Sequence, residues 1–164
     1  GETRKLDSWS HRDHSWSARF SDEPAWEPTQ QNINGHYWPS IQLPNSHINI
    51  FGTPDPAARI GGFISDDKGS RALLGGSCEW LMSDNGRDLV AHRYTLEMPD
   101  GETIHVKTGR KHGQVKLWLR GENDLENVFD CYEPFFDYEV EETGEQGYGV
   151  SEYSVMGPWP KWLV

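Results

Sequence analysis

Apolar and aromatic residues alternate with polar ones in short runs along most of the chain, and turn residues separate the runs. Such alternation is typical of β-strands with one buried face, because successive side chains point to opposite sides of a sheet. From Leu89 to Met98 the even positions are expected to face inward, which places His92 among apolar neighbours. The pattern predicts strands over Asp7–Trp16, Gly35–Leu43, His47–Phe51, Ala58–Ile64, Ala72–Trp80, Asp88–Glu97, Thr103–Lys111, Val115–Arg120, Val128–Glu141 and Gly147–Val155.

Turn signals between these runs predict an antiparallel meander. The clearest hairpin turn is Met98-Pro99-Asp100-Gly101, since Asp-Gly supplies the positive φ angles that a tight turn needs. Further turns are predicted at 44–46, 66–69 and 83–86. Pro39 and Pro134 are expected at edges or bulges, because proline has no N–H to donate to a neighbouring strand. The predicted fold is all-β, an antiparallel β-barrel or strongly curved sandwich, in a single domain over residues 1–164.

Composition narrows the classes of partner. The net charge is −11 and no basic run is longer than Arg110-Lys111, which argues against nucleic acid as the main partner. No stretch approaches the roughly 20 apolar residues of a membrane-spanning helix, so no membrane span is predicted. The 20 aromatic side chains (8 Trp, 6 Tyr and 6 Phe) make an aromatic-lined pocket feasible. Cys78 and Cys131 are expected to be reduced core thiols, which favours a cytoplasmic location.

The densest group of functional side chains is the run Trp9-Ser10-His11-Arg12-Asp13-His14-Ser15-Trp16. On a strand, Asp13 shares one face with Trp9 and His11. If that face looks inward, desolvation would raise the pKa of Asp13 and favour a protonated carboxyl that can act as a general acid. The alternative is a hydrogen-bonded brace between Asp13 and Arg12 or His14 at the end of a strand.

Two later segments add candidates. Tyr148, Val150 and Glu152 alternate onto one face, which makes Glu152 a candidate second carboxylate or, alternatively, the partner of Arg12 or Arg19 in an internal ion pair. The aromatic run His36-Tyr37-Trp38 fits pocket walls and ordinary packing equally well. The candidate catalytic residues are Asp13, His14 and Glu152, and the candidate ligand-binding residues are Trp9, His11, Trp16, His36, Tyr37, Trp38, His92 and Tyr148.

Metal and nucleophile chemistry have less support in the sequence. His11 and His14 would point to opposite faces of a strand, and adding His36, His47 or Glu152 gives no diagnostic ligand spacing, so neither a metal nor a cofactor is predicted. The chain has no Gly-x-Ser-x-Gly motif, which argues against a serine hydrolase of the elbow type.

The segments Arg12-Asp13-His14-Ser15-Trp16 and Gly147-Tyr148-Gly149-Val150-Ser151-Glu152-Tyr153 resemble the second half of the bacterial lipocalin-like superfamily of carotenoid 1,2-hydratases and AttH-like proteins. Ser17 stands where a glycine is usual in that family. The resemblance implies a lipocalin-like domain, the second of a pair, that binds an apolar isoprenoid or polyketide-like molecule. In the hydratases the Asp of the motif is thought to protonate an alkene, and Asp13 would inherit that role.

Three hypotheses follow from the sequence. The first is an enzyme that binds an apolar terpenoid, steroid or polyketide-like substrate and uses Asp13 as the acid in hydration or isomerisation. The second is a non-catalytic ligand-binding or structural barrel in which Asp13, His14 and Glu152 are braces. The third is a sugar-binding β-sandwich, which would need a planar row of exposed aromatics. The expected partners are an apolar small molecule and a companion β domain or a second copy of the chain.

Overall fold

In the computed structural model, residues 35–52, 60–84, 88–120 and 128–156 are described, together with the isolated residue Thr3. These residues form nine strands joined mostly by tight turns. The strands are β1 (Gly35–Gln42), β2 (Ser46–Phe51), β3 (Gly61–Asp66), β4 (Gly69–Ala72), β5 (Gly75–Met82), β6 (Leu89–Glu97), β7 (Thr103–Arg120), β8 (Val128–Val140) and β9 (Gln146–Met156). The prediction of an all-β antiparallel fold is confirmed.

One antiparallel sheet contains all nine strands, in the order β4-β3-β2-β1-β9-β8-β7-β6-β5. Each strand lies beside its neighbour in the chain, except that β1 pairs with β9 and the consecutive strands β4 and β5 form the two edges. Leu73 and Leu74 join those edges: the N–H of Leu73 donates to Gly62 on β3 (3.0 Å), and that of Leu74 donates to Glu97 on β6 (2.8 Å). Two adjacent residues therefore bond to strands near opposite edges of the sheet, so the sheet curls strongly enough to bring its two edges together.

The curl gives the sheet a concave face that holds the core. On β6 the side chains of His92, Tyr94 and Leu96 are buried, as the alternation of the sequence predicts, whereas Val90 is exposed and Leu89 is buried instead. A register shift opposite Leu89, between Leu81 and Met82 of β5, accounts for that difference, because a bulge reverses which side chains face inward. The remaining core side chains include Tyr37, Ile41, Ile48, Ile50, Val106, Tyr132, Phe136, Tyr138 and Tyr153.

The hairpin turn predicted at 98–101 is present, although among its residues only Gly101, and not Asp100, has a positive φ. Gly101 has a φ of 89°, and its N–H donates to the carbonyl of Met98 at 3.0 Å. The turn predicted at 66–69 is also present, and its last residue, Gly69, has a φ of 123°. The sequence missed the short strand β4 that starts at this glycine.

Two expectations about the strands need correction, and a third is not tested. The two strands predicted either side of residues 112–114 are one continuous strand, β7, which passes Lys111 and Gly113 through two register shifts against β8. Pro39 does not lie at a sheet edge, because β1 has β2 on one side and β9 on the other. The pairing of β1 with β2 is interrupted there, between the Tyr37–Gly52 bridge and the pair formed by Ser40 and Asn49. The strand predicted over residues 7–16 lies outside the described residues.

Candidate functional site

A hydrogen-bonded group of three buried side chains lies on the concave face. His92 on β6 places Nε2 at 3.0 Å from Tyr138 Oη on β8 and at 3.1 Å from Ser151 Oγ on β9. The Tyr138 hydroxyl donates to Ser151 Oγ at 3.0 Å, which closes a triangle. We call these three residues together with Tyr94 the inner cluster. Its members come from three strands, so the curl of the sheet is what brings them together.

Aromatic rings surround the inner cluster. The His92 ring packs edge-on against Tyr94 and Phe136, with centroids 4.8 and 5.2 Å apart. Trp80 on β5 lies over His92 with a centroid separation of 6.0 Å, and it also packs edge-on against Tyr37 at 5.2 Å. Edge-to-face contacts of this kind stabilise aromatic pairs beyond simple burial. The polar cluster is therefore enclosed by an aromatic wall.

Two atoms of the inner cluster are buried and have no hydrogen-bond partner in the described part of the chain: His92 Nδ1 and Tyr94 Oη. Cys78 and Ser151 lie beside the Tyr94 hydroxyl without forming an aligned bond to it. A buried polar group left unsatisfied costs about 1–3 kcal/mol, and such groups are rare in native proteins. Both atoms belong to rings that contact each other.

Burial keeps the inner cluster uncharged. Desolvation lowers the pKa of His92 to about 3 and raises the pKa values of Tyr94 and Tyr138 well above those of exposed tyrosines. The pKa of the neighbouring Cys78 thiol is raised by the same cause. At physiological pH these groups can donate and accept hydrogen bonds, but they carry no charge.

Trp80 is the ring of the aromatic wall that lies on an edge strand of the described sheet. It is partly exposed and belongs to β5, which is an edge of the sheet among the described strands. Besides His92 and Tyr37 it contacts Tyr153, with centroids 6.1 Å apart. Since both unsatisfied atoms are closed off from solvent, a ligand reaches them only when a covering side chain moves. Trp80 is the covering ring with the fewest neighbouring strands to hold it.

A second group lies on the outer face, across the seam where β1 pairs with β9. His36 Nε2 is 2.6 Å from Glu152 Oε1, and His36 Nδ1 is 2.6 Å from Ser154 Oγ. The combination of Ser, His and Glu is found in acyl-transfer enzymes, but Ser154 is only 1% exposed and its Oγ also accepts the backbone N–H of His36 at 3.3 Å. This arrangement suits a brace between the two strands better than a nucleophile.

A third feature is a cavity of about 170 Å³ at the end of the sheet where the β6–β7 and β8–β9 turns lie. Its floor is aliphatic and its rim is mostly acidic, with Arg71 as the basic residue. Arg71 already pairs with Glu102 of the rim, at 3.3 Å. The lining residues include Leu43, Ile48, Ile64, Ile104, Val140, Asp66, Glu142 and Glu145. The acidic rim makes this cavity chemically different from the inner cluster, whose side chains are uncharged.

The structure brings some of the predicted site residues together and separates others. Tyr37 and His92 both face the core, and Tyr37 also packs against Tyr94 at 6.1 Å. On the outer face, His36 and Glu152 bond to each other, whereas the sequence offered only arginine partners for Glu152. The other outer-face candidates are Trp38, which donates to Asn49 at 3.0 Å, and Tyr148, which is 48% exposed. The candidates Trp9, His11, Asp13, His14 and Trp16 lie outside the described residues.

Sequence reasoning missed Tyr94, Tyr138 and Ser151. Tyr94 follows His92 by two positions, so the alternation that placed His92 inward already placed Tyr94 beside it. Tyr138 and Ser151 had no comparable signal, because their contact with His92 depends on the pairing of distant strands.

Among the described residues no group of His, Cys, Asp and Glu side chains is arranged to hold a metal ion. In that same part of the chain, no helix is long and apolar enough to cross a membrane. No protein-family model matches the sequence, and no curated protein is significantly similar to it.

Proposed function

We propose that the concave face binds a small, mostly apolar molecule that carries a polar group. The observation that carries this proposal is the pair of unsatisfied atoms, His92 Nδ1 and Tyr94 Oη, inside an aromatic enclosure. Ligand sites in proteins are commonly apolar and aromatic, with a few polar groups that fix the orientation of the ligand. The inner cluster has this composition.

The hydrogen-bonded triangle supports the same proposal, because it holds the His92 ring in place. Two hydroxyl groups, from Tyr138 and Ser151, engage Nε2 and leave Nδ1 on the other side of the ring. A ring fixed in this way presents Nδ1 in one direction and loses little conformational entropy when a ligand binds. The two hydroxyls therefore act as positioning groups for His92.

Binding requires a rearrangement, for which Trp80 is the candidate. When this side chain swings outward from β5, it uncovers His92 and Tyr37 and leaves an opening lined by aromatic rings. A pocket of this kind belongs to a less populated conformation that the ligand stabilises. The apparent affinity then equals the affinity of the open pocket multiplied by the fraction of molecules in the open state.

We further propose that the protein catalyses the acid-assisted hydration or isomerisation of an alkene. The described side chains that bond to or stack on His92 are uncharged, so the acid would have to come from elsewhere, and Asp13 is the candidate through the resemblance to the hydratases. Turnover of an alkene substrate should be abolished by Asp13→Asn while binding persists. Turnover that survives this substitution would rule out Asp13 as the acid and leave a ligand-binding barrel.

The binding proposal is tested with 1-aminoanthracene, a neutral aromatic amine whose fluorescence increases in apolar surroundings. We expect saturable binding to one site per chain, weakened at least about fivefold by Tyr94→Phe through the loss of one hydrogen bond. Tyr148→Phe is the matched control, because it removes the same hydroxyl from an exposed ring on the outer face. Binding that does not saturate, or that both variants weaken equally, contradicts the proposal.

A further inference from the structure

We infer that the polar group of the ligand is an uncharged hydroxyl, which bridges His92 Nδ1 and Tyr94 Oη. This inference rests on the proposed function and names the chemical class that the same site selects: an apolar alcohol, in preference to a carboxylate or a plain hydrocarbon.

The first argument is the lack of charge around the two atoms. The described neighbours of His92 and Tyr94 are the hydroxyls of Tyr138 and Ser151, the Cys78 thiol and aromatic rings. Burying an ionised group without a partner of opposite charge is far more costly than burying a neutral one. A carboxylate placed here would have only neutral donors to compensate its lost hydration.

The two lysines of β7 that lie on the concave face do not change this conclusion. Lys111 faces inward opposite Phe136, but its ammonium group donates to the carbonyl of Leu89 at 2.9 Å and to Gln114 Oε1 at 2.8 Å. Lys116 lies further along β7, with its ammonium group 5.1 Å from the ring centroid of Tyr132. Using Lys111 to bind an anion would require breaking these two hydrogen bonds, one of which ties the start of β6 to the middle of β7.

The second argument is the hydrogen-bonding role left to His92 Nδ1. If Nε2 carries the proton and donates to Tyr138, then Nδ1 is an acceptor that needs a donor. If Ser151 instead donates to Nε2, then Nδ1 carries the proton and needs an acceptor. A hydroxyl group both donates and accepts hydrogen bonds, so it satisfies Nδ1 in either case. Its other role, as acceptor or donor, then serves the hydroxyl of Tyr94. A ketone or ether oxygen fits only the second arrangement, and a hydrocarbon fits neither.

Two matched probe series test this inference on the full chain. The first compares 2-naphthol with naphthalene and 2-naphthoate, which share a skeleton and differ in the polar group. The second compares 1-decanol with decanoate on a flexible skeleton. Dissociation constants are measured at pH 7.5 for the wild type, Tyr94→Phe and Tyr148→Phe.

We expect the alcohols to bind at least tenfold more tightly than the matched carboxylates and the hydrocarbon. Tyr94→Phe should weaken 2-naphthol by about tenfold, the effect of one buried hydrogen bond, and leave naphthalene unchanged. Tyr148→Phe should change none of these values. If the carboxylates bind as tightly as the alcohols, or if Tyr94→Phe weakens naphthalene as much as 2-naphthol, the inference is wrong although the pocket exists. If no probe of either series binds, the proposed function fails as well.

Discussion

Removing the hydroxyl of Tyr94 should stabilise the ligand-free protein, which is the opposite of what loss of a buried tyrosine hydroxyl usually does. Tyr94 is fully buried, and its Oη has no hydrogen-bond partner in the described residues. Tyr94→Phe keeps the ring contact with His92 at 4.8 Å and deletes only this unsatisfied atom. We therefore expect the free energy of unfolding to rise by about 1 kcal/mol, at the lower end of the cost of an unsatisfied buried group.

Tyr138→Phe is the matched comparison, because Tyr138 is also fully buried but its hydroxyl is bonded to His92 and Ser151 at 3.0 Å each. Its removal takes one hydrogen bond from each of those two groups and leaves their mutual contact at 3.1 Å. We expect the free energy of unfolding to fall by about 1–2 kcal/mol. The two variants should therefore differ by about 2–3 kcal/mol, although each loses one oxygen atom from a buried tyrosine.

Urea unfolding followed by tryptophan fluorescence measures both changes, provided that the slope with denaturant stays constant across the variants. Tyr148→Phe serves as the exposed control and should change stability by less than about 0.5 kcal/mol. If Tyr94→Phe destabilises the protein as much as Tyr138→Phe does, then the Tyr94 hydroxyl is bonded in the native state and the basis of the proposed binding site is lost.

The remaining predictions concern the protonation of His92, the pairing of β1 with β9, and the buried thiol of Cys131. Because burial lowers the pKa of His92 to about 3, the unfolded chain takes up a proton first as the pH falls, and stability is lost below about pH 6.5. Between pH 7.5 and 5.0 this loss is about 2 kcal/mol, and His92→Gln should remove it. Gly149→Ala should unfold the protein or cost more than about 3 kcal/mol, since a Cβ there meets the backbone of β1, whereas Gly113→Ala faces open space. Cys131, which is 2% exposed and whose thiol pKa is raised by burial, should react with Ellman's reagent only on unfolding.

Each of these has a clear contrary result. The variant His112→Gln shows how much the pH dependence of stability changes when an exposed histidine is replaced. If His92→Gln changes that dependence no more than His112→Gln does, His92 is not held neutral in the folded protein. Equal stability of the two glycine variants would contradict the close approach of β1 to β9. Rapid modification of Cys131 in the folded protein would contradict its burial.

The fold was accessible from the sequence because it depends on local signals. Alternation and turn residues such as Asp100-Gly101 are read within a few positions, and they predicted most of the strands. The errors occurred where pairing overrides the local pattern. Residues 112–114 look like a turn, but β8 is long enough to pair with the chain on both sides of them, so β7 continues through bulges.

The candidate site was only partly accessible, for the same reason. His92 was predicted to face inward from its own strand alone, and this prediction is confirmed. The pairing of His36 with Glu152 depends on the register of β1 against β9, which separates these residues by 116 positions in the chain. No local pattern reports such a register. The family resemblance and the role of Asp13 stay predictions, since Asp13 lies outside the described residues.

The measurement that tests the proposed binding site most directly is the ¹⁵N NMR spectrum of the His92 imidazole during titration with 2-naphthol, with the signals assigned by their loss in His92→Gln. The two ring nitrogens report their hydrogen bonds separately. We predict that the Nδ1 signal moves on saturation, while Nε2 keeps the shift set by Tyr138 and Ser151. If 2-naphthol leaves both nitrogens unchanged, or perturbs only residues of the outer face such as Tyr148, then the concave face is a packed core and not a binding site.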